Sequence, residues 1–144
     1  MSAPTRRRRQ PSGSLGRVEL SLGAGVAAGG DGIGRLADGR VVFVEGGLPG
    51  ERVAVALTES HKDYAKGRLA AVIEASPDRV APPCPWVERG CGGCGWQHVR
   101  PASQVAMKDK VVLDALRRIA HLDAAEQLGP AVRLPFERYR TSVH

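Results

Sequence analysis

Cys84, Cys91 and Cys94 are the three cysteines of the chain, and all lie in the run Cys-Pro-Trp-Val-Glu-Arg-Gly-Cys-Gly-Gly-Cys. Thiolate sulfur is a soft donor, and a C-x6-C-x2-C array suits zinc or an iron-sulfur cluster. Gly90, Gly92 and Gly93 permit the tight backbone path that aims three sulfurs at one centre. His98 follows Cys94 at a spacing that completes a Cys3His zinc site, whereas a cluster calls for a fourth cysteine that this sequence lacks. Spacing alone therefore favours zinc. Disulfide pairing fits poorly: the cysteine number is odd, and the first residues are arginine-rich without an apolar core, so a reducing, cytoplasmic setting is expected.

The elements that must position these thiols are short. The 144 residues include Gly 18 and Pro 10 but only Trp 2, Tyr 2 and Phe 2, a composition of turns and short strands rather than of a helical bundle. The sequence holds no apolar run long enough to span a membrane. Its net charge is +6, yet Arg6, Arg7, Arg8, Arg9 and Arg17 all precede the first acidic residue, Glu19, and the rest is nearly neutral. The run Arg6 to Arg9 lies among Pro4, Pro11, Ser12, Gly13 and Ser14. Residues 1–14 thus read as a disordered basic tail, with at most non-specific attraction to phosphates.

From Arg17 the pattern changes. Val18, Leu20 and Leu22 alternate with Glu19 and Ser21 at the period of a half-buried strand. Gly29, Gly30, Asp31, Gly32 and Gly34 read as a turn-rich loop leading to Arg35 and Leu36. Asp38-Gly39 is a hairpin signal before the strand Val41 to Val44, and Pro49-Gly50 marks a turn before Val53, Val55 and Leu57. A long strand runs from about Tyr64 through Leu69 to Ile73, with Lys66 and Arg68 opposite Ala65 and Leu69. Strands this short bury their apolar side by closing into a small five-stranded barrel of the oligonucleotide-binding (OB-like) type. The expected class is mainly β, with a cysteine loop and one helix after the barrel. Arg35, Arg40, Lys62, Lys66 and Arg68 are candidates for an outer face where single-stranded nucleic acid can lie. The glycine cluster is no phosphate loop, because neither a Gly-Lys-Ser/Thr ending nor a crossover helix follows it.

Pro77, Pro82, Pro83 and Pro85 break regular structure before the cysteine loop. A helix is expected from about Ala102 to Leu122, with Val105, Val112, Leu116 and Ile119 on its apolar face. Arg133 to His144 reads as the entry to a strand cut in mid-pattern, so the chain is expected to be the amino-terminal portion of a longer protein.

Five motifs in order carry a family resemblance: Asp31-Gly-Ile-Gly-Arg with Val42-Phe-Val; Leu48-Pro-Gly-Glu-Arg-Val; Pro77-Asp-Arg-Val; Pro82-Pro-Cys-Pro; and Cys91-Gly-Gly-Cys with Gln97-His98. Over about residues 15–143 the chain resembles the amino-terminal region of the RNA 5-methyluridine methyltransferases, the RNA (uracil-5-)-methyltransferase family. The resemblance implies a TRAM barrel at 15–75, a cysteine loop at 76–100, and at 101–144 the truncated start of a central region that includes Tyr139-Arg140-Thr141. It also implies that Cys84, Cys91 and Cys94 bind a four-iron four-sulfur (4Fe-4S) cluster whose fourth ligand lies outside this chain, with His98 a neighbour of the site. That reverses the preference from spacing; a stand-alone zinc-binding Cys3His module remains the alternative. S-adenosylmethionine would belong to the parent enzyme alone, and no catalytic residue carries over. The implied partner is ribosomal or transfer RNA, met by a monomer.

Overall fold

The computed structural model describes residues 15–87, 89, 91, 93–123 and 129–132. The arginine run Arg6 to Arg9, the strand entry from Arg133 and the Tyr139 motif lie outside them.

Five strands form in the order β1 (Arg17–Val26), β2 (Gly32–Arg35), β3 (Val41–Glu45), β4 (Arg52–Ser60) and β5 (Tyr64–Glu74). They close into one barrel with neighbours β1-β2-β3-β5-β4, as expected for an OB-like fold. All pairs are antiparallel except β3 with β5, which run parallel from Val41↔Tyr64 to Glu45↔Arg68. The register of β1 shifts between Leu22 and Val26, so β1 pairs with β4 early and with β2 late, and this bend closes the barrel.

Alternation sets the inside. Leu22, Val42, Val44, Val53, Val55 and Ala65 are buried together, with Val18, Leu20, Leu36, Leu57 and Leu69 packed around them. Each buried valine contributes roughly 1.5–3 kcal/mol relative to exposure. The turns carry the residues that the sequence nominated: Gly39 and Gly50 both adopt positive φ.

The loop expected at Asp31 to Gly34 is instead partly strand β2. Its glycines face inward and are crowded: a Cβ at Gly32 would stand 2.9 Å from the Gly47 carbonyl oxygen and 2.8 Å from Leu22 Cδ1, and one at Gly34 would stand 2.5 Å from Leu20 Cδ1. Glycine is here a packing requirement rather than a turn signal.

The helix α1 (Pro101–Ile119) begins with Pro101, whose missing N–H costs nothing at a first turn. Its last turn holds Arg117 and Arg118, favourable at the negative end of the helix dipole. The expected apolar face is corrected in part: Val105 and Leu116 are half-buried, but the packing centres elsewhere. Met107 is buried, with Val111 beside it, against Val26, Leu48, Val99 and Trp96, whereas Val112 and Ile119 are 47% and 80% exposed. The second cluster sits below the barrel mouth and meets only the first half of the helix. No helix among the described residues is long and apolar enough to cross a membrane.

Candidate functional site

The outer face of β2, β3 and β5 follows from the register. Inward Val42 and Val44 leave Val41, Phe43 and Glu45 outside, and inward Ala65 and Gly67 leave Tyr64, Lys66 and Arg68 outside. Across the strands Arg35 stands opposite Val41 and Val41 opposite Tyr64; Ile33 stands opposite Phe43 and Phe43 opposite Lys66. Of the five nominated cations, Arg35, Lys66 and Arg68 therefore share one face, and Lys62 is exposed in the β4–β5 turn.

Each charge has a local context. Arg35 donates to the Gly39 carbonyl at 3.0 Å. Lys66 pairs with Glu59 at 3.1 Å, which raises the lysine pKa, while bonds from His61 and then Lys66 lower that of Glu59. Arg68 pairs with Glu45 at 3.1 Å. Arg40 is turned to internal duty: its Nε donates to Asp38 at 2.8 Å and its Nη1 to Ser60 Oγ at 2.9 Å and the His61 carbonyl at 2.6 Å. Burial, then the charge of Glu45, holds the Asp31 carboxyl above its ordinary range.

Three rings on this face escaped the sequence reading. Phe43 and Tyr64 meet edge to face at 6.1 Å, and His61 stacks on Tyr64 at 4.5 Å. Their signal was available: Phe43 occupies an outward position of a strand whose inward positions are valine.

A second assembly joins the barrel to the cysteine loop. The Glu51 carboxylate is fully buried and accepts from the amides of Leu48 at 2.9 Å and Ser76 at 3.2 Å, and from Arg79 Nε at 2.5 Å and Nη2 at 2.8 Å. Burial pushes its pKa up; the guanidinium and the two amides more than offset this and hold it below the usual carboxylate range. Arg79 also donates to the Gly46 carbonyl at 2.7 Å, and pairs through its backbone with Val99. Val80 N donates to the His98 carbonyl at 3.0 Å, and Cys84 N donates to Gln97 Oε1 at 3.2 Å, closing the base of the loop.

Cys84 is partly exposed and Cys91 and Cys94 are exposed free thiols. Among the described residues, no three Cys, His, Asp or Glu side chains converge closely enough to hold a metal ion. The soft cysteine thiolates are the donor type that suits zinc or an iron-sulfur cluster. The half-buried His98 ring has its Nε2 buried without a hydrogen-bond partner, and burial, then the charge of Arg79, lowers its pKa.

Residues 23–70 match the TRAM domain. A 23S rRNA uracil-C5-methyltransferase of Methylococcus capsulatus is 45% identical over 104 residues, 72% of this chain and 23% of the relative. An uncharacterized RNA methyltransferase of Streptomyces avermitilis is 39% identical over 122 residues, 83% of this chain and 28% of the relative. The solution structure of a conserved protein of Methanococcus maripaludis aligns with 46% of this chain and 93% of that chain at 27% identity, with a TM-score of 0.36. The chain thus spans about a quarter of the length of the curated relatives it matches. It carries a TRAM domain and, over that shared quarter, is similar to proteins named as RNA methyltransferases, a 23S rRNA uracil-C5 enzyme among them.

Proposed function

We propose that this chain is the RNA-binding part of a S-adenosylmethionine-dependent RNA methyltransferase that makes 5-methyluridine in ribosomal or transfer RNA. The observation that carries the reading is the coincidence of two features. The TRAM match falls on a closed barrel, and one outer face of that barrel gathers Arg35, Lys66 and Arg68. Cations at strand positions meet a phosphate backbone without reading its sequence, so binding is salt-sensitive and tolerant of sequence. An RNA-modifying role fits the cytoplasm.

Cys84, Cys91 and Cys94 are proposed as three ligands of a four-iron four-sulfur cluster, the fourth coming from outside this chain. Their soft thiolates supply the donor chemistry. In this reading the half-buried His98 ring, whose charged neighbours are Arg79 and Glu51, is a neighbour of the site rather than a ligand. The base of the loop, tied down through Arg79, Val80 and Cys84, limits the rearrangement that ligation requires to the exposed turn.

Ultraviolet crosslinking of the chain to uridine-containing RNA, with mapping of the crosslinked peptides, tests the RNA reading. Crosslinks are expected in peptides from β2, β3 and β5. Crosslinks confined to the Arg6–Arg9 peptide would contradict it.

A further inference from the structure

The outer face of β2, β3 and β5 is not only basic. Ile33, Val41, Phe43 and Tyr64 are partly exposed and adjacent by register, and the exposed His61 ring extends them by stacking on Tyr64. An outward strand position is ordinarily polar, so rings on two neighbouring outward strands need a reason. We propose that Phe43 and the Tyr64–His61 pair form a stacking platform for unpaired RNA bases, and that Glu45 and Glu59 compete with phosphate for Arg68 and Lys66. The proposal rests on the RNA-binding reading and narrows it to single-stranded RNA.

Three observations carry it. The first is preorganisation. His61 is held by a bond of 3.1 Å to Glu59, and its backbone N donates to the Tyr64 carbonyl at 2.8 Å, while Arg40 grips the same turn through Ser60 and the His61 carbonyl. Rings fixed before binding lose little entropy when a base arrives.

The second is the arrangement of charge. Lys66 stands opposite Phe43 across the strand, and Arg68 lies two residues further along β5. Cations beside rings let the backbone lie along the lysine and arginine while bases turn onto the aromatics. The rings are of no use to a duplex, whose base faces are already stacked and whose major groove is too deep to reach. An open groove lined by Leu20, Ser21, Ile33, Arg35, Leu36 and Val41 runs on from the same face, giving a strand somewhere to continue.

The third is the pairing of the cations. Glu59 bonds both His61 and Lys66 at 3.1 Å, and Glu45 pairs with Arg68 at 3.1 Å, so a phosphate must displace a carboxylate to reach either cation. These exposed pairs are individually weak, which makes the exchange easy. Removing the Glu45 carboxylate should therefore strengthen binding.

The test is fluorescence anisotropy of the full chain with a labelled oligouridine and with a duplex of the same length. Phe43→Leu and His61→Ala should each weaken single-strand binding by about tenfold, with Phe43→Trp restoring it and the salt slope unchanged. Duplex binding should stay as in the parent chain. Glu45→Gln should tighten single-strand binding, because its carboxylate pairs with Arg68. His61→Ala alters an exposed turn, so it reports on stacking even if Phe43→Leu fails to fold. Unchanged single-strand affinity in both ring variants, with loss in Lys66→Ala and Arg68→Ala, would overturn the platform and leave a backbone-only RNA surface; a face made to cover another protein would give the same ring result. No RNA binding by the parent chain at low salt would sink the RNA reading itself.

Discussion

Arg79 reaches across from the segment after the barrel to the buried carboxylate of Glu51, bonding it through Nε at 2.5 Å and Nη2 at 2.8 Å. The two residues belong to two of the motifs that mark the sequence, Leu48-Pro-Gly-Glu-Arg-Val and Pro77-Asp-Arg-Val, and their contact joins the two segments. One supplies a carboxylate in a turn below the barrel, and the other supplies the cation that makes its burial tolerable.

Removing one partner leaves the other charge buried. Arg79→Ala is expected to cost about 3 kcal/mol, and Glu51→Gln less, because the amide keeps part of the hydrogen bonding. The pH dependence has a definite sign. The folded pKa of Glu51 is depressed, so the stability it contributes is present above the ordinary carboxylate value and lost as pH falls through the lower, folded one. Urea unfolding of the parent chain and Glu51→Gln across the acid range checks this. Their stability difference should shrink towards low pH, and a difference that grows on acidification would contradict it.

Barrel closure depends on Gly67. A Cβ there would overlap Cγ1 of the fully buried Val55 and stand 3.0 Å from the Ala56 carbonyl oxygen. Gly67→Ala should cost about 1–3 kcal/mol by overpacking, whereas Gly95→Ala, with nothing near its Cβ, should be close to neutral. Thermal melts of the two variants decide the point.

Much of the barrel was legible in the sequence, for physical reasons that also mark where legibility stopped. β1, β4 and β5 show apolar residues at alternating positions, and β3 shows as a short apolar run between turn signals. β2 is hidden because its inward residues are glycines, and what crowds them is Leu20 and Leu22 on another strand together with the Gly47 carbonyl. The rings of the candidate face were hidden differently. Their meaning lies in the parallel β3–β5 register, which sets Phe43 directly beside Lys66 although β4 separates them in sequence, and is not a property of any one segment.

The helix supplies the clearest disagreement with periodicity. Periodicity nominated Val112 and Ile119, but the barrel and the cysteine-loop base reach only as far as Met107 and Val111. Met107→Ala should therefore cost about 2–5 kcal/mol, whereas Ile119→Ala should stay within about 0.5 kcal/mol. Equal losses in chemical denaturation would restore the face expected from the sequence.

The cysteine loop should take up iron. Anaerobic reconstitution with ferrous iron and sulfide is expected to give a visible absorption band of low occupancy in this chain, lost in Cys91→Ser and in Cys94→Ser and kept in His98→Ala. Stoichiometric zinc that disappears in His98→Ala would favour the Cys3His site instead.

The central claim is that the folded barrel, rather than the arginine run, is the RNA surface. The measurement that tests it most directly is the salt dependence of oligouridine binding by the full chain, compared with a Lys66→Ala/Arg68→Ala variant and with a variant in which Arg6 to Arg9 are all alanine. Each lost phosphate contact lowers the slope of log K against log salt by about 0.7 for a single strand. The barrel variant should bind more weakly with a reduced slope, and the arginine-run variant should keep most of its affinity. Binding abolished by the arginine-run substitutions and untouched by those at Lys66 and Arg68 would contradict the account.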